Sequence, residues 1–193
     1  MKALTFKTYR LIDLALIGVL FFFMETAVTK AGRVWFPNEP YSLSFAIIFF
    51  CLGLMRWGAW SALYPVIGGL AACLSLGATG QQFAIYCIGN LLVMSALLLF
   101  RVFKKERIRE SGFLTTLFAV SVFMLAQLGR FAVSLYFKPE PAMLLQFLTT
   151  DALSGVFAII VLLIARRIDG LFEDQKTYLL RLEEERQKNR EED

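Results

Sequence analysis

This 193-residue chain has no histidine, three cysteines, five prolines and only 19% charged residues. The missing histidine excludes histidine-dependent zinc and haem sites, the Ser/His and Cys/His nucleophile pairs, and the usual proton shuttle. Cys51, Cys73 and Cys87 all fall in apolar segments, are odd in number and lack metal-ligand spacing, so they read as small buried hydrophobes. No GxxxxGK[ST] loop is present, so any ATP hydrolysis has to come from another chain. A lipid-directed enzyme using Glu25 or Asp151 as acid or base would need a nucleophile, a metal set or a motif beside them, and none is there. The expectation is therefore a protein without catalysis of its own and without a cofactor.

Apolar residues are what the chain has in excess: 58% hydrophobic, 15% aromatic, mean hydropathy +0.61. A soluble domain of this length needs more polar surface than that, which points to an integral membrane protein. Six apolar segments can be drawn. They are Leu11–Thr29, Tyr41–Met55, Trp60–Leu76, Phe83–Val102, and two within Phe113–Ala165 joined by the turn Lys138-Pro139-Glu140-Pro141. The first has no small-residue cleavage site and reads as a retained helix. The second is shorter than the ~20 residues a span needs, so Arg56 is expected to snorkel or the bilayer to thin there. Asp13 reads as an interfacial ion pair with Arg10. In the third segment Tyr64-Pro65 and Gly68-Gly69 predict a kink or a short unwound piece. Gly68 with Ala72, and Ala71 with Ser75, are small pairs four apart that suit close packing, either internally or against a separate subunit.

Basic residues concentrate near the N-terminus (Lys2, Lys7, Arg10), at Arg56, in the loop Arg101–Ser111 and at Arg166-Arg167. By the charge bias of short loops, all of these face the cytoplasm. The expected architecture is an all-α bundle of six transmembrane helices over residues 1–167 with both ends cytoplasmic, followed by a charged cytoplasmic helical tail, 168–193. The tail is either solvated or in contact with a partner.

Ionisable groups deep in apolar segments cost about 2.5–3.5 kcal/mol each, and so mark function or pairing. Arg130 and Asp151 flank the KPEP turn at nearly equal depth and can meet if their helices are antiparallel. They either pair with each other or each take an opposite charge on a ligand. Polar rows surround them: Gln127, Arg130 and Ser134 on one helix; Asp151 with Ser154, and Gln146 with Thr150, on the next; Gln82, Tyr86 and Asn90 on the fourth. Asn90 serves a neighbouring carbonyl or a ligand. Glu25 is a substrate contact or a snorkelling or capping group. The loop Lys30–Pro40, with Trp35 and Phe36, is an interfacial anchor or a lid.

The stretch YSLSFAIIFFCLGLMRWGAWSALYPVIGGLAACLSLGATGQQFAIYCIGNLLVMSALLLF carries a family resemblance. An apolar helix, a tight cytoplasmic turn, a small-residue-rich helix, an outer turn and a fourth helix opening with aromatic and polar residues follow one another. In this layout, over residues 10 to 167, the chain resembles the substrate-binding S component of energy-coupling factor transporters. The resemblance implies uptake of a vitamin or similar micronutrient by a multi-pass protein of a bacterial cell membrane, working with a transmembrane coupling subunit and two ATPases. The lipid bilayer is then its other partner, and nucleic acid is none. It further implies a substrate site drawn from Trp35, Tyr86, Asn90, Gln127, Arg130, Gln146 and Asp151, with Glu25 added from its depth, and a docking surface including Gly68, Ala71, Ala72 and Ser75. Two features depart from the family: Ala15 is followed four residues later by Val19 rather than alanine, and the tail is longer. A rod-shape-determining type of membrane scaffold has a similar layout and is the alternative.

Overall fold

The computed structural model describes residues 5–37, 42–138 and 140–192, and every regular element among them is helical. In chain order these are α1 (Phe6–Trp35), α2 (Ala46–Trp57), a 3-10 turn (Gly58–Ala62), α3 (Leu63–Leu76), α4 (Gly80–Gly89), a 3-10 stretch (Asn90–Leu98) and α5 (Leu99–Val102). They continue with α6 (Lys105–Glu110), α7 (Gly112–Phe137), α8 (Ala142–Thr150), α9 (Ala152–Ala165) and α10 (Gln175–Glu192). Lys2, residues 38–40 of the expected first outer loop, Tyr41 at the start of the expected second segment, and Pro139 of the KPEP turn lie outside the described residues.

The bundle is organised around α2. Its sequence, AIIFFCLGLMRW, is apolar on every face, the pattern of a helix surrounded by protein. Every residue but Leu52 is buried, and α1, α3, α7, α9 and the stretch Asn90–Leu98 all pack on it.

Among the described residues, four stretches are long and apolar enough to cross a membrane: Phe6–Trp35, Ala46–Leu76, Gly80–Val102 and Gly112–Phe137. The pair α8 and α9, bent by 47° at Asp151, makes a fifth if it counts as one span. Ala46–Leu76 is not one straight rod. Gly58 takes φ +55°, a conformation open to glycine, and the chain reverses there, so that Gly53 lies against Ser61 and Tyr64, and Gly68 against Phe50. The two arms are about 18 and 21 Å long at 1.5 Å per residue, each shorter than a ~30 Å hydrocarbon core.

Several expectations are corrected. The helix assigned to Leu11–Thr29 runs from Phe6 to Trp35, so the first half of the expected loop is helical. Pro65 produces no kink. It occupies the first turn of α3, where its missing N–H is not needed, and the break falls upstream at Gly58. The fourth helix is tightened into 3-10 geometry from Asn90 to Leu98, immediately after its crossing with α7. Gly68 and Ala71 are buried, Gly68 against Phe21 and Phe50, so they pack the bundle internally and form no exposed docking surface; Ala72 and Ser75 are half-buried.

The basic end of the bundle is also drier than the sequence suggests. Arg56 does not snorkel; it is 7% exposed, donates to Asp13 at 2.7 and 3.2 Å, and donates to the carbonyls of Gly170 and Leu171. Asp13, expected to pair with Arg10, takes Arg56 and the Trp57 indole N–H instead. Arg10 stacks over Trp60 at 3.9 Å. Residues 166–175 close this end: Phe172 is fully buried beside Phe118, and Gln175 is buried. Core packing therefore continues past residue 167, through Phe172 to Gln175 at the start of α10.

Candidate functional site: a buried polar chamber

Two glycines set the geometry. A Cβ on Gly129 would lie 2.0 Å from the Gly89 carbonyl oxygen, and one on Gly89 would lie 2.7 Å from the Arg130 backbone. No other residue type allows α4 and α7 to cross so closely. The crossing brings Asn90 and Arg130, the next residue on each helix, into contact, and Arg130 Nε donates to Asn90 Oδ1 at 2.7 Å. Asn90 Nδ2 donates in turn to the Pro65 carbonyl at 3.3 Å. The Arg130 guanidinium lies over the Tyr86 ring at 4.6 Å.

Asp151 sits at the bend between α8 and α9, with φ −96° and ψ 4°; its N–H still reaches the Phe147 carbonyl and its own carbonyl accepts from Gly155 N, while its carboxylate is turned inward. It accepts from Arg130 Nη1, from Gln127 Nε2 at 3.0 Å and from the Ser42 hydroxyl. The ion pair is almost wholly enclosed, with side chains 5% and 11% exposed.

The segment 42–45 before α2 straps these groups to α1. Ser42 N donates to the Thr150 carbonyl at 2.9 Å, and the Ser154 hydroxyl donates to the Ser42 carbonyl at 2.9 Å. Ser44 N donates to Ser154 Oγ at 3.0 Å. The Ser44 hydroxyl and Phe45 N–H then donate to the two oxygens of Glu25 at 2.7 and 2.8 Å. Ala46 N donates to Ser44 Oγ. Glu25 is thus the cap of α2: a carboxylate at the positive end of a buried helix, satisfying its orphan N–H groups through Ser44.

A chamber of about 40 Å³ remains between these groups, bounded by Glu25, Thr29, Ser42, Ser44, Asn90, Arg130 and Asp151 among others. That is room for a few water-sized occupants, against the several hundred Å³ of a small-molecule pocket. A larger groove, about 670 Å³, lies elsewhere, on the outer face of α1 and α3 between Leu11, Ala15, Gly18, Phe22, Trp60 and Ile67. It is almost entirely apolar and carries no converging polar groups, so the chamber and not the groove is the candidate site.

Of the residues expected at the site, the structure gathers Glu25, Tyr86, Asn90, Gln127, Arg130 and Asp151. Two are elsewhere. Trp35 is 68% exposed at the end of α1, and Gln146 is exposed on α8 because the bend at Asp151 turns that row outward. Gln82, the start of the expected polar row, instead forms a capping box with Thr79. Ser42 and Ser44 were missed, and Ser154, expected in the polar row of Asp151, joins the site as well. Two serines spaced by one residue directly before an apolar helix are an N-cap signal. Compared with protein-family models, curated proteins and solved structures, the chain matches none.

Proposed function

We propose that this chain is a solute-binding membrane subunit of the energy-coupling factor type, capturing a vitamin or similar micronutrient without chemistry of its own. In this reading α1, α2, α3, the rod from α4 through α5, α7 and the α8–α9 pair are six spans, both ends are cytoplasmic, and the chamber lies in the outer half of a bacterial cell membrane. The observation that supports it is the convergence of charged and polar side chains from α1, α7, the α4 rod and the α8–α9 break beneath one loop segment, 42–45. A helix–helix register pin needs two such groups, whereas a binding site needs several from different elements.

At about 40 Å³ the chamber is too small for a vitamin-sized solute, which enters only when the strap lifts and the hydrogen bonds of Ser42 and Ser44 break. The apolar α1/α3 groove, with Ala15 and Gly18, is the face open to a transmembrane coupling subunit, and separate ATPases supply the energy.

The test is to purify the chain from its native membrane, extract it for mass spectrometry, and identify co-purifying ATPases. A stoichiometric vitamin-like molecule that also raises the unfolding temperature is the expected result. Apo protein that is stabilised by no vitamin and accompanied by no ATPase would overturn the proposal.

A second reading, a membrane scaffold whose tail recruits partners, draws on the same network differently. Arg130 and Asp151 satisfy one another without a ligand, and α10 extends from the basic end with a polar surface. It predicts capture of a partner that is lost when 176–193 are removed, with no solute bound.

A further inference from the structure

The apolar groove between α1 and α3 carries a single charge, at one end. Arg10 borders it there, with its guanidinium over the Trp60 ring at 3.9 Å. Asp13, the acidic residue one turn away on α1, is taken by Arg56 and Trp57, and the Arg10 side chain makes no hydrogen bond or ion pair with any other described residue. A guanidinium stacked on one ring keeps its N–H edges free, and at a membrane surface such a cation draws an anion. Lys7, exposed one turn earlier on the same face, adds to the positive charge.

The shape of the groove is an independent observation. Ala15 and Gly18 leave a trough between the larger side chains of Leu11 and Phe22, and Ile67 walls its far side, close enough that a Cβ on Gly18 would lie 3.1 Å from it. From Arg10 to Phe22 the trough runs about 18 Å at 1.5 Å per residue, slightly more than half of a ~30 Å hydrocarbon core. Helix α1 is long and apolar enough to cross a membrane, and most of its apolar stretch is left uncovered by the rest of the bundle. A smooth helix face would take acyl chains without preference. A trough of about 670 Å³ and one leaflet's depth, with an unpaired cation at its mouth, asks for a chain and an anion in the same molecule.

We propose that the α1/α3 groove binds one anionic phospholipid. An acyl chain lies along Ala15 and Gly18, and the headgroup phosphate accepts from the Arg10 guanidinium, whose planar fork suits phosphate oxygens and which Trp60 holds in place. The inference does not depend on the solute-binding reading. Under that reading the lipid fills the groove while the coupling subunit is away, and the two compete for the same face.

The experiment uses the full chain, delipidated in a mild detergent and titrated with dioleoyl phosphatidylglycerol, dioleoyl phosphatidylcholine or inorganic phosphate, with bound molecules counted by native mass spectrometry. One phosphatidylglycerol should bind ahead of all further lipid, with phosphatidylcholine about fivefold weaker, the worth of one basic residue facing an anionic head. Phosphate alone should not bind. Arg10→Gln should abolish the preference between the two lipids. Ala15→Phe, at an exposed position, should fill the trough and remove the first lipid of either kind. Arg101→Gln removes the same charge from an exposed residue that does not border the groove, and should change neither result. If Ala15→Phe does not fold, Arg10→Gln against Arg101→Gln carries the test. Equal binding of the two lipids to the wild type would overturn the site, as would a preference that Arg101→Gln reduces as much as Arg10→Gln. A dimer abolished by Ala15→Phe would overturn it too, because a second copy of the chain would then be what covers the groove.

Discussion

Arg130 donates to Asp151 across the interface of α7 with the α8–α9 break, and the carboxylate that receives it is the residue at which the last apolar segment bends by 47°. The ion pair and the bend are one feature. Asp151 keeps its helical backbone bonds, to the Phe147 carbonyl and from Gly155 N, while its side chain is held by Arg130, Gln127 and Ser42, and past the bend α8 still packs on α7, with Phe147 against Tyr86.

Removing one partner leaves the other charge buried. Arg130→Met or Asp151→Leu alone should each destabilise by about 3–5 kcal/mol, whereas the double variant should recover much of that loss. Thermal unfolding of the four proteins in one detergent measures the coupling. A double variant no more stable than the worse single change would mean that the pair is not what holds these helices.

Gly129→Ala should pry α4 from α7, since its Cβ has a backbone oxygen and not a flexible side chain in its way. A loss of about 1–3 kcal/mol is expected from the overpacking. Gly80→Ala, where nothing lies within 4 Å, is the control and should be neutral or slightly stabilising. Equal unfolding temperatures for the two variants would contradict the close crossing.

Phe172 is the anchor that makes residues 166–175 part of the bundle. Phe172→Ala should cost about 3–5 kcal/mol and expose this turn to protease. Leu180→Ala, on an exposed face of α10, should fall within ±0.5 kcal/mol. Proteolysis of the turn that is unchanged in Phe172→Ala would show that the anchor lies elsewhere.

Two acidic neighbours of Arg109 should behave differently. Glu173 is 12% exposed and accepts from both Arg109 and Arg181, whereas Asp169 is 77% exposed. Glu173→Ala should loosen α10, read as faster amide exchange in its first turns, while Asp169→Ala should leave exchange unchanged. High salt should imitate the first variant only weakly, because the Glu173 pair is shielded.

What the sequence by itself determined is the class of chain and the identity of its costly residues. Apolar excess and the spacing of basic loops required membrane-length helices, and Glu25, Asn90, Arg130 and Asp151 stood out because a polar group in an apolar segment has few affordable fates. Equal distance from the KPEP turn was enough to bring Arg130 to Asp151, since helix rise is fixed. The tertiary structure alone decided the rest. Arg56 looked interfacial because it ends a short segment, and only the packing of Asp13 and residues 170–171 around it made it a buried link. Gly68 and Ala71 read equally as inward or outward until Phe21 and Phe50 were seen against Gly68. Ser42 and Ser44 carry no signal of their partners, because Glu25, Thr150, Asp151 and Ser154 lie far from them in sequence. Gln146 has the right spacing for the site on a straight helix and loses it on a bent one. Periodicity gives the face of a straight helix, and the bend belongs to an ion pair that forms only when two distant segments meet.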